Sequence, residues 1–349
     1  MLNQLTSTRF FAAMAVVLYH YGGSLHPFNN HNALVLLRYS SSAVSYFFIL
    51  SGFVMIIAYG NRPGKIDKIK YYVNRIARIY PVYFLALIWA TLTSILTKQG
   101  VDPTTFTLSL FVIQAWFPDY VLTLNIPGWS LSVEFVFYFL FPFLLILYKK
   151  IKLQKISAVV LSIWIVSQLI FNYFLNYHPE KIENNFLFFS PIMHLNQFLI
   201  GNLIGLVYLK VERRNLDIVV ALMMICLPVI ILTANKYAPN ISFHDGLLAI
   251  FFAPFILLMA LNNGKISHVL SKKVFVVLGE ISYSIYILQR PIHSSVAFVS
   301  RFLEIDNISM EYVFIVILII ASFISYYFVE IPARNLIQNL FSKRILTDK

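Results

Sequence analysis

Among the ionisable side chains that stand inside or beside strongly apolar stretches of this chain, six have a spacing that could do chemistry: Arg9, His20, Arg75, Arg78, Glu134 and Arg290. An ionisable group at the centre of a membrane helix costs on the order of 2.5–3.5 kcal/mol by insertion measurements, so each asks for a partner, a wet cavity or an interface. Arg9 and His20 are eleven positions apart within the run Leu5–Tyr21. Eleven helical residues make three turns plus about 20°, so both side chains leave one face, ~16 Å apart along the axis. That stripe faces a protein interior or water, or else the two groups snorkel to opposite interfaces. Glu134 closes the stretch Trp129–Glu134, with Ser130 one turn before it on the same face. An imidazole and a carboxylate at one depth in low dielectric suit an oriented general base, and equally a structural ion pair.

Arg75 and Arg78 are one helical turn apart in the segment Tyr72–Pro81. Two guanidinium forks on one face suit a phosphate or pyrophosphate, because the planar fork binds oxygens bidentately. Arginines beside a membrane also serve orientation and anionic lipid. In Gly279–Pro291, Tyr283, Tyr286 and Arg290 follow helical spacing and make a polar stripe through an apolar helix. Such a stripe lines a cavity, or its arginine snorkels outward, and Pro291 kinks the helix or ends its regular part.

Helices must hold all of these groups. The chain is 59% hydrophobic and 12% charged, with a mean hydropathy of +0.75. An ordinary globular protein is about one quarter charged. Ten apolar runs recur along the chain: Leu5–Tyr21, Tyr39–Tyr59, Pro81–Leu96, Trp129–Tyr148, Ile156–Asn176, Pro191–Leu209, Leu216–Thr233, Gly246–Leu261, Val274–Val299 and Tyr312–Val329. The expected fold is therefore all-α and polytopic, since backbone groups in hydrocarbon must pair internally. Phe106–Phe117 is apolar but only twelve residues long, which predicts a re-entrant or interfacial segment. Of the 27 Lys and Arg, twenty fall in alternate loops and the C-terminal tail, and five in the intervening loops. The alternation is regular only if Phe106–Phe117 does not cross. It then predicts ten spans with both termini cytoplasmic. On that orientation Arg9 lies toward the cytoplasm and His20 near the outer surface. Glu134, ~7.5 Å into its span, falls at a depth similar to that of His20.

The net charge of +12 resides in short loops, a topology signal that speaks against a nucleic-acid partner. A single cysteine, Cys226, excludes an intramolecular disulfide and a Cys-rich zinc site, and no metal is expected. The first helix lacks a basic n-region and a small-residue cleavage site, so it is expected to be retained. Gly201 and Gly205 form a GxxxG that lets a neighbouring helix approach closely. The expected organisation is one domain over 1–349, with a helical core over 1–333 and a basic cytoplasmic tail over 334–349.

Taken together, Arg9 with ten residues before His20, Ser51-Gly52-Phe53 followed by Arg75–Pro81, Trp129–Glu134, Ser282–Leu288 and Glu330 before Pro332 resemble, in order, the motifs of the membrane-bound acyltransferase family 3. The resemblance covers essentially the whole chain. It implies an integral-membrane O-acyltransferase of the bacterial cytoplasmic membrane. The implied donor is acetyl-CoA or another acyl-CoA, and the implied acceptor is a sugar hydroxyl of a surface polysaccharide or lipid-linked glycan. The implied partners are membrane lipids and polysaccharide-biosynthesis proteins. It further implies His20 and Glu134 as catalytic residues and Arg9, Arg75 and Arg78 as donor-binding residues. Trp129, Ser130, Tyr283, Tyr286 and Gln289 would bind the acceptor. The family often has a histidine where this chain has Gln289, a departure on the acceptor side. No fused hydrolase-like domain is expected after Val329. A transporter or flippase using the same polar cavity, with the His–Glu pair as a proton relay, is the alternative from another class.

Overall fold

The computed structural model describes residues 2–347 apart from 63, 65, 179–184, 238–241 and 244, with 342–347 as backbone only. Lys65, Lys181 and Lys349, and the side chains of Lys343 and Arg344, which entered the charge pattern, lie outside the described residues. The described chain is all-helical, and its only β feature is an isolated bridge between Arg214 and Asn262. Its main helices are α1 (Asn3–Tyr21), α2 (His31–Tyr39), α3 (Ala43–Tyr59), α4 (Lys68–Leu96), α5 (Pro103–Leu110), α6 (Gly128–Tyr148) and α7 (Leu153–Tyr177). There follow α8 (Pro191–Tyr208), α9 (Asp217–Tyr237), α10 (Ala249–Leu261), α11 (Lys265–Leu270), α12 (Lys273–Phe302), α13 (Asn307–Ser325) and α14 (Ile331–Thr347). A π-helical turn over Tyr326–Glu330 joins the last two.

All ten apolar runs are helical. Seven helical stretches among the described residues are long and apolar enough to cross a membrane: His31–Tyr59, Lys68–Leu96, Gly128–Tyr148, Leu153–Tyr177, Phe186–Tyr208, Asp217–Tyr237 and Asn307–Phe341. The other three runs fall in α1, α10 and α12. α10 has only 13 residues. α1 and α12 are long enough at 19 and 30 residues, but polar side chains such as Gln4, Ser7, Thr8, Glu280 and Gln289 dilute their hydropathy. Only 17% of the apolar window of α7 and 11% of that of α9 is buried. Apolar surface of that extent on a stable protein faces lipid.

The helices fall into two compact units. The first unit comprises Met1–Pro63 and Phe143–Glu280. At its centre α3 and α8 cross backbone to backbone. A Cβ on Gly52 would lie 2.2 Å from the Phe198 carbonyl oxygen, and one on Gly201 would lie 2.0 Å from that of Ile49. The expected GxxxG contact is therefore present, and Gly52 of Ser51-Gly52-Phe53 is its counterpart on α3. A third crossing brings Gly279 onto α1, where a Cβ would lie 2.0 Å from the Thr6 carbonyl oxygen. Asn262 and Asp217 knit the ends of α9, α10 and α11. The Asn262 amide donates to the Asp217 carboxylate (2.8 Å), which also accepts from the Lys265 and Ile266 backbone N–H groups.

The second unit comprises Gly64–Pro142 and Ile281–Lys349. Tyrosine and amide side chains fasten it by reaching backbone carbonyls. Pro142 has no N–H for the carbonyl of Tyr138 four residues earlier; the Tyr71 hydroxyl donates to that carbonyl at 3.1 Å, and Tyr72 donates to Phe139 O at 3.1 Å. Pro291 likewise frees the carbonyl of Ile287, and the buried Asn125 amide donates to it at 3.0 Å. Helix-terminal carbonyls of α5 are also orphans. Tyr83 donates to Ser109 O (2.6 Å) and Tyr80 to Leu110 O (3.0 Å).

One stretch differs from the sequence reading and another agrees with it. The segment Gly60–Tyr80, whose six Lys and Arg count among the loop charges of the alternation pattern, is helical from Lys68, continuous with the following span. A capping carboxylate at Asp67, accepting from the Lys70 N–H at 3.0 Å, starts the helix there. The short apolar segment Phe106–Phe117 is an eight-residue helix followed by a 3-10 turn at Gln114–Trp116, as expected for a segment that does not cross. It docks on α4 at Tyr80 and Tyr83, the latter thirteen residues and thus ~20 Å from the end of α4 at Leu96.

Candidate functional site

That docking decides where α6 begins. Gly128, its first residue, lies against Tyr83, with the position of a Cβ 3.2 Å from the tyrosine ring. α4 and α6 then run antiparallel, with Tyr71 on the Tyr138 carbonyl and the Arg75 guanidinium 5.7 Å from the centre of the Tyr138 ring. This register sets Arg75 and Arg78 beside the stretch Glu134–Tyr138. The level of Glu134 relative to α4 is thus set by where α6 begins against Tyr83. The connection 97–127 returns to mid-helix depth before α6 starts. Arg75 and Arg78 stand within α4, one turn apart as their spacing implied.

The second unit thus gathers most of the expected site. Glu134, half-buried, accepts a hydrogen bond from the Tyr138 hydroxyl one turn on. Tyr283 on α12 donates to the Ile79 carbonyl at 2.7 Å, between Arg78 and Pro81. Glu330, Glu134, Tyr83 and Tyr138 all lie within electrostatic reach of its hydroxyl. Tyr286 donates to Ser130 Oγ at 2.9 Å, and Ser130 donates in turn to Pro127 O at 3.0 Å. Trp129 is buried in the first turn of α6. Gln289 is fully buried, and its amide donates to the Tyr286 carbonyl at 2.7 Å. Two carboxylates, two guanidinium groups and several phenols within one helical cluster can bind an anion and hold or move a proton.

Arg9 and His20 belong to the first unit. Arg9 is half-buried and acts on Tyr46, whose hydroxyl is hydrogen-bonded to Thr8. His20 is exposed in the last turn of α1, edge-on to the Tyr19 ring at 4.7 Å.

Sequence reasoning missed two members of the cluster. Tyr138 stands at i+4 from Glu134, a spacing that places both on one helix face, so its signal was available. Glu330 was noted only as part of a closing motif. It is buried, 3% exposed, at the end of the π-helical turn, and such turns recur at functional sites. Nothing local marks Asn125 as the partner of a carbonyl freed by a proline 166 positions on.

Over residues 2–329 the chain matches the family model described as an acyltransferase domain. The chain belongs to this acyltransferase-domain family. It is 25% identical over 360 aligned residues to the O-acetyltransferase OatA of Staphylococcus aureus (strain NCTC 8325 / PS 47), covering 95% of this chain and 57% of that protein. It is 32% identical over 170 residues to the acyltransferase MdmB of Streptomyces mycarofaciens, covering 44% of this chain and 42% of that protein. A further relative is the exopolysaccharide production protein ExoZ of Rhizobium meliloti (strain 1021), 23% identical over 252 residues, covering 71% of this chain and 74% of that protein. The chain spans only about half the length of OatA and of MdmB. No solved structure matches it significantly.

Proposed function

We propose that the protein is a membrane O-acyltransferase that moves an acyl group, acetyl in the first instance, from acyl-CoA to a sugar hydroxyl of a surface polysaccharide or lipid-linked precursor. It would act in the bacterial cytoplasmic membrane, alongside polysaccharide-biosynthesis proteins. The observation that carries the reading is the level shared by Arg75, Arg78 and Glu134 within one helical unit, in a chain of this family. Coenzyme A is polyanionic, and paired guanidinium groups receive its phosphates. Arg9 assists on the donor side. With donor phosphates at Arg75 and Arg78, the long pantetheine arm would carry the thioester into the bundle.

His20 acts as general base on the acceptor hydroxyl, and Glu134 is the second catalytic residue. The alkoxide oxygen attacks the thioester carbonyl, the C–S bond breaks, and the proton held by His20 passes to the departing thiolate. Trp129, Ser130, Tyr283, Tyr286 and Gln289 hold the acceptor.

Incubation of membrane vesicles with [¹⁴C]acetyl-CoA tests this. Label appears in extractable glycan or lipid-linked material only when the protein is present. Vesicles containing folded protein that neither transfer label nor retain coenzyme A overturn the reading.

A further inference from the structure

The first unit contains a second polar centre that the acyl-transfer reading does not use. The turn Asp245–Gly246 is pinned to α7 through its two backbone carbonyls: Gln168 Nε2 donates to Asp245 O and Trp164 Nε1 to Gly246 O, each at 2.9 Å. Gly246 has φ +92°, and it meets α8 so closely that a Cβ would lie 2.6 Å from Gln197 Cγ and 3.0 Å from Asn196 Oδ1. The protein thus fastens a turn firmly on both sides. It does so around a carboxylate whose two oxygens accept no hydrogen bond among the described residues.

The neighbouring oxygens are in the same condition. Gln168 Oε1, Asn196 Oδ1 and Gln197 Oε1 are buried acceptors without a donor among the described residues. Asp245 and Gln197 are 0% exposed, Asn196 1% and Gln168 7%. His194 does not supply what is missing. Its Nε2 lies 2.8 Å from the Phe188 carbonyl and so carries the hydrogen, while Nδ1 lies 3.0 Å from the Gln197 amide nitrogen and accepts from it. The 3.9 Å separation of His194 Nδ1 from Asp245 Oδ1 is too long for a hydrogen bond. A cluster of buried acceptors with no donors calls for an ion or a water. Burial alone pushes the Asp245 carboxyl well above the usual carboxylate range, so it takes a cation beside it to keep it ionised.

We infer that Asp245, Gln197, Asn196 and Gln168 form a binding site for an alkali cation that clamps α7, α8 and the turn before α10. One carboxylate among neutral amide oxygens matches a single positive charge, and all-oxygen donors suit a hard ion. Three or more His, Cys, Asp or Glu side chains grouped for a transition metal are not found among the described residues.

The test is thermal stability of the purified full chain in detergent, with sodium, potassium or choline chloride at equal ionic strength, together with direct ²²Na⁺ binding. An alkali cation should raise Tm saturably, by roughly 5 °C at 100-fold above its Kd. Asp245→Asn should abolish that dependence. Asn196→Ala, which keeps the charge and the turn, should weaken the apparent affinity about tenfold and so reports even if Asp245→Asn does not fold. Equal Tm in all three salts, with no ²²Na⁺ bound, overturns the inference. A neutral Asp245→Asn would then identify a protonated acid, and a destabilised one an ion pair with a protonated His194. Acyl transfer is not read in this experiment, so its outcome is independent of the proposed function.

Discussion

The two units hold their helices together by different means. In the first, α3 meets α8 through Gly52 and Gly201, with carbonyl oxygens where a Cβ would otherwise stand. In the second, tyrosine and asparagine side chains bridge helices and connections to carbonyls that prolines or helix ends leave unpaired. Backbone-to-backbone crossings leave no room for solutes or water. Side-chain bridges keep polar atoms at depth, which is where the arginines, the carboxylates and the phenol of Tyr283 collect. Within the second unit, rigidity and chemistry draw on the same kind of residue.

The contrast breaks most severely at the glycine crossing. Gly201→Leu should abolish accumulation of folded protein, because its Cβ would lie 2.0 Å from the Ile49 carbonyl and two helix backbones would have to separate. Size-exclusion profiles of detergent extracts read this directly, and a monodisperse Gly201→Leu protein would remove the distinction between the units.

In the second unit, the largest effects should fall on activity and spare the fold. Glu134→Gln keeps the shape and removes the charge, so it should retain wild-type Tm and lose on the order of 100-fold or more in kcat. His20→Ala should do the same, and the double variant should be hardly worse, as residues acting together are strongly non-additive. Additive losses in the cycle would mean that the two act separately.

Tyr138 separates two roles within one side chain. Tyr138→Phe removes the hydroxyl that holds Glu134 but keeps the ring beneath Arg75. It should lower kcat about tenfold with the donor KM unchanged. Tyr138→Leu loses the ring as well and should raise the donor KM, as should Arg75→Ala with Arg78→Ala. Identical kinetics for the Phe and Leu variants would show that the ring contributes nothing to donor binding.

The smallest effect tests the bridges themselves. Tyr71→Phe leaves the Tyr138 carbonyl without its donor, which should cost about 1–3 kcal/mol of stability. Adding Pro142→Ala restores a backbone N–H four residues on and should recover most of that loss. A double variant no more stable than Tyr71→Phe would exclude the proline as the reason for the bridge.

Much of this could be read along the chain. Ten apolar runs are ten helical stretches, because hydropathy and caps such as Asp67 and Asp102 act locally. The short segment before α6 was legible as one that does not cross, since eight helical residues reach only ~12 Å. The motifs that mark the family were legible too, and so was the polar stripe of Tyr283 and Tyr286.

Depth was not legible. A count from the start of a span measures distance along one helix, whereas the level of Glu134 depends on where α6 begins beside α4. The tyrosine bridges between α5 and α4 decide that. The helical spacing of Arg75 and Arg78 was legible, whereas only packing shows that they stand beside Glu134–Tyr138. The same holds for the prolines. Sequence alone determines that Pro142 and Pro291 each leave a carbonyl unpaired, because the missing N–H is a covalent fact. Only the tertiary structure decides that Tyr71 and Asn125 satisfy them, because a donor 67 or 162 positions from its acceptor is chosen by how the helices pack.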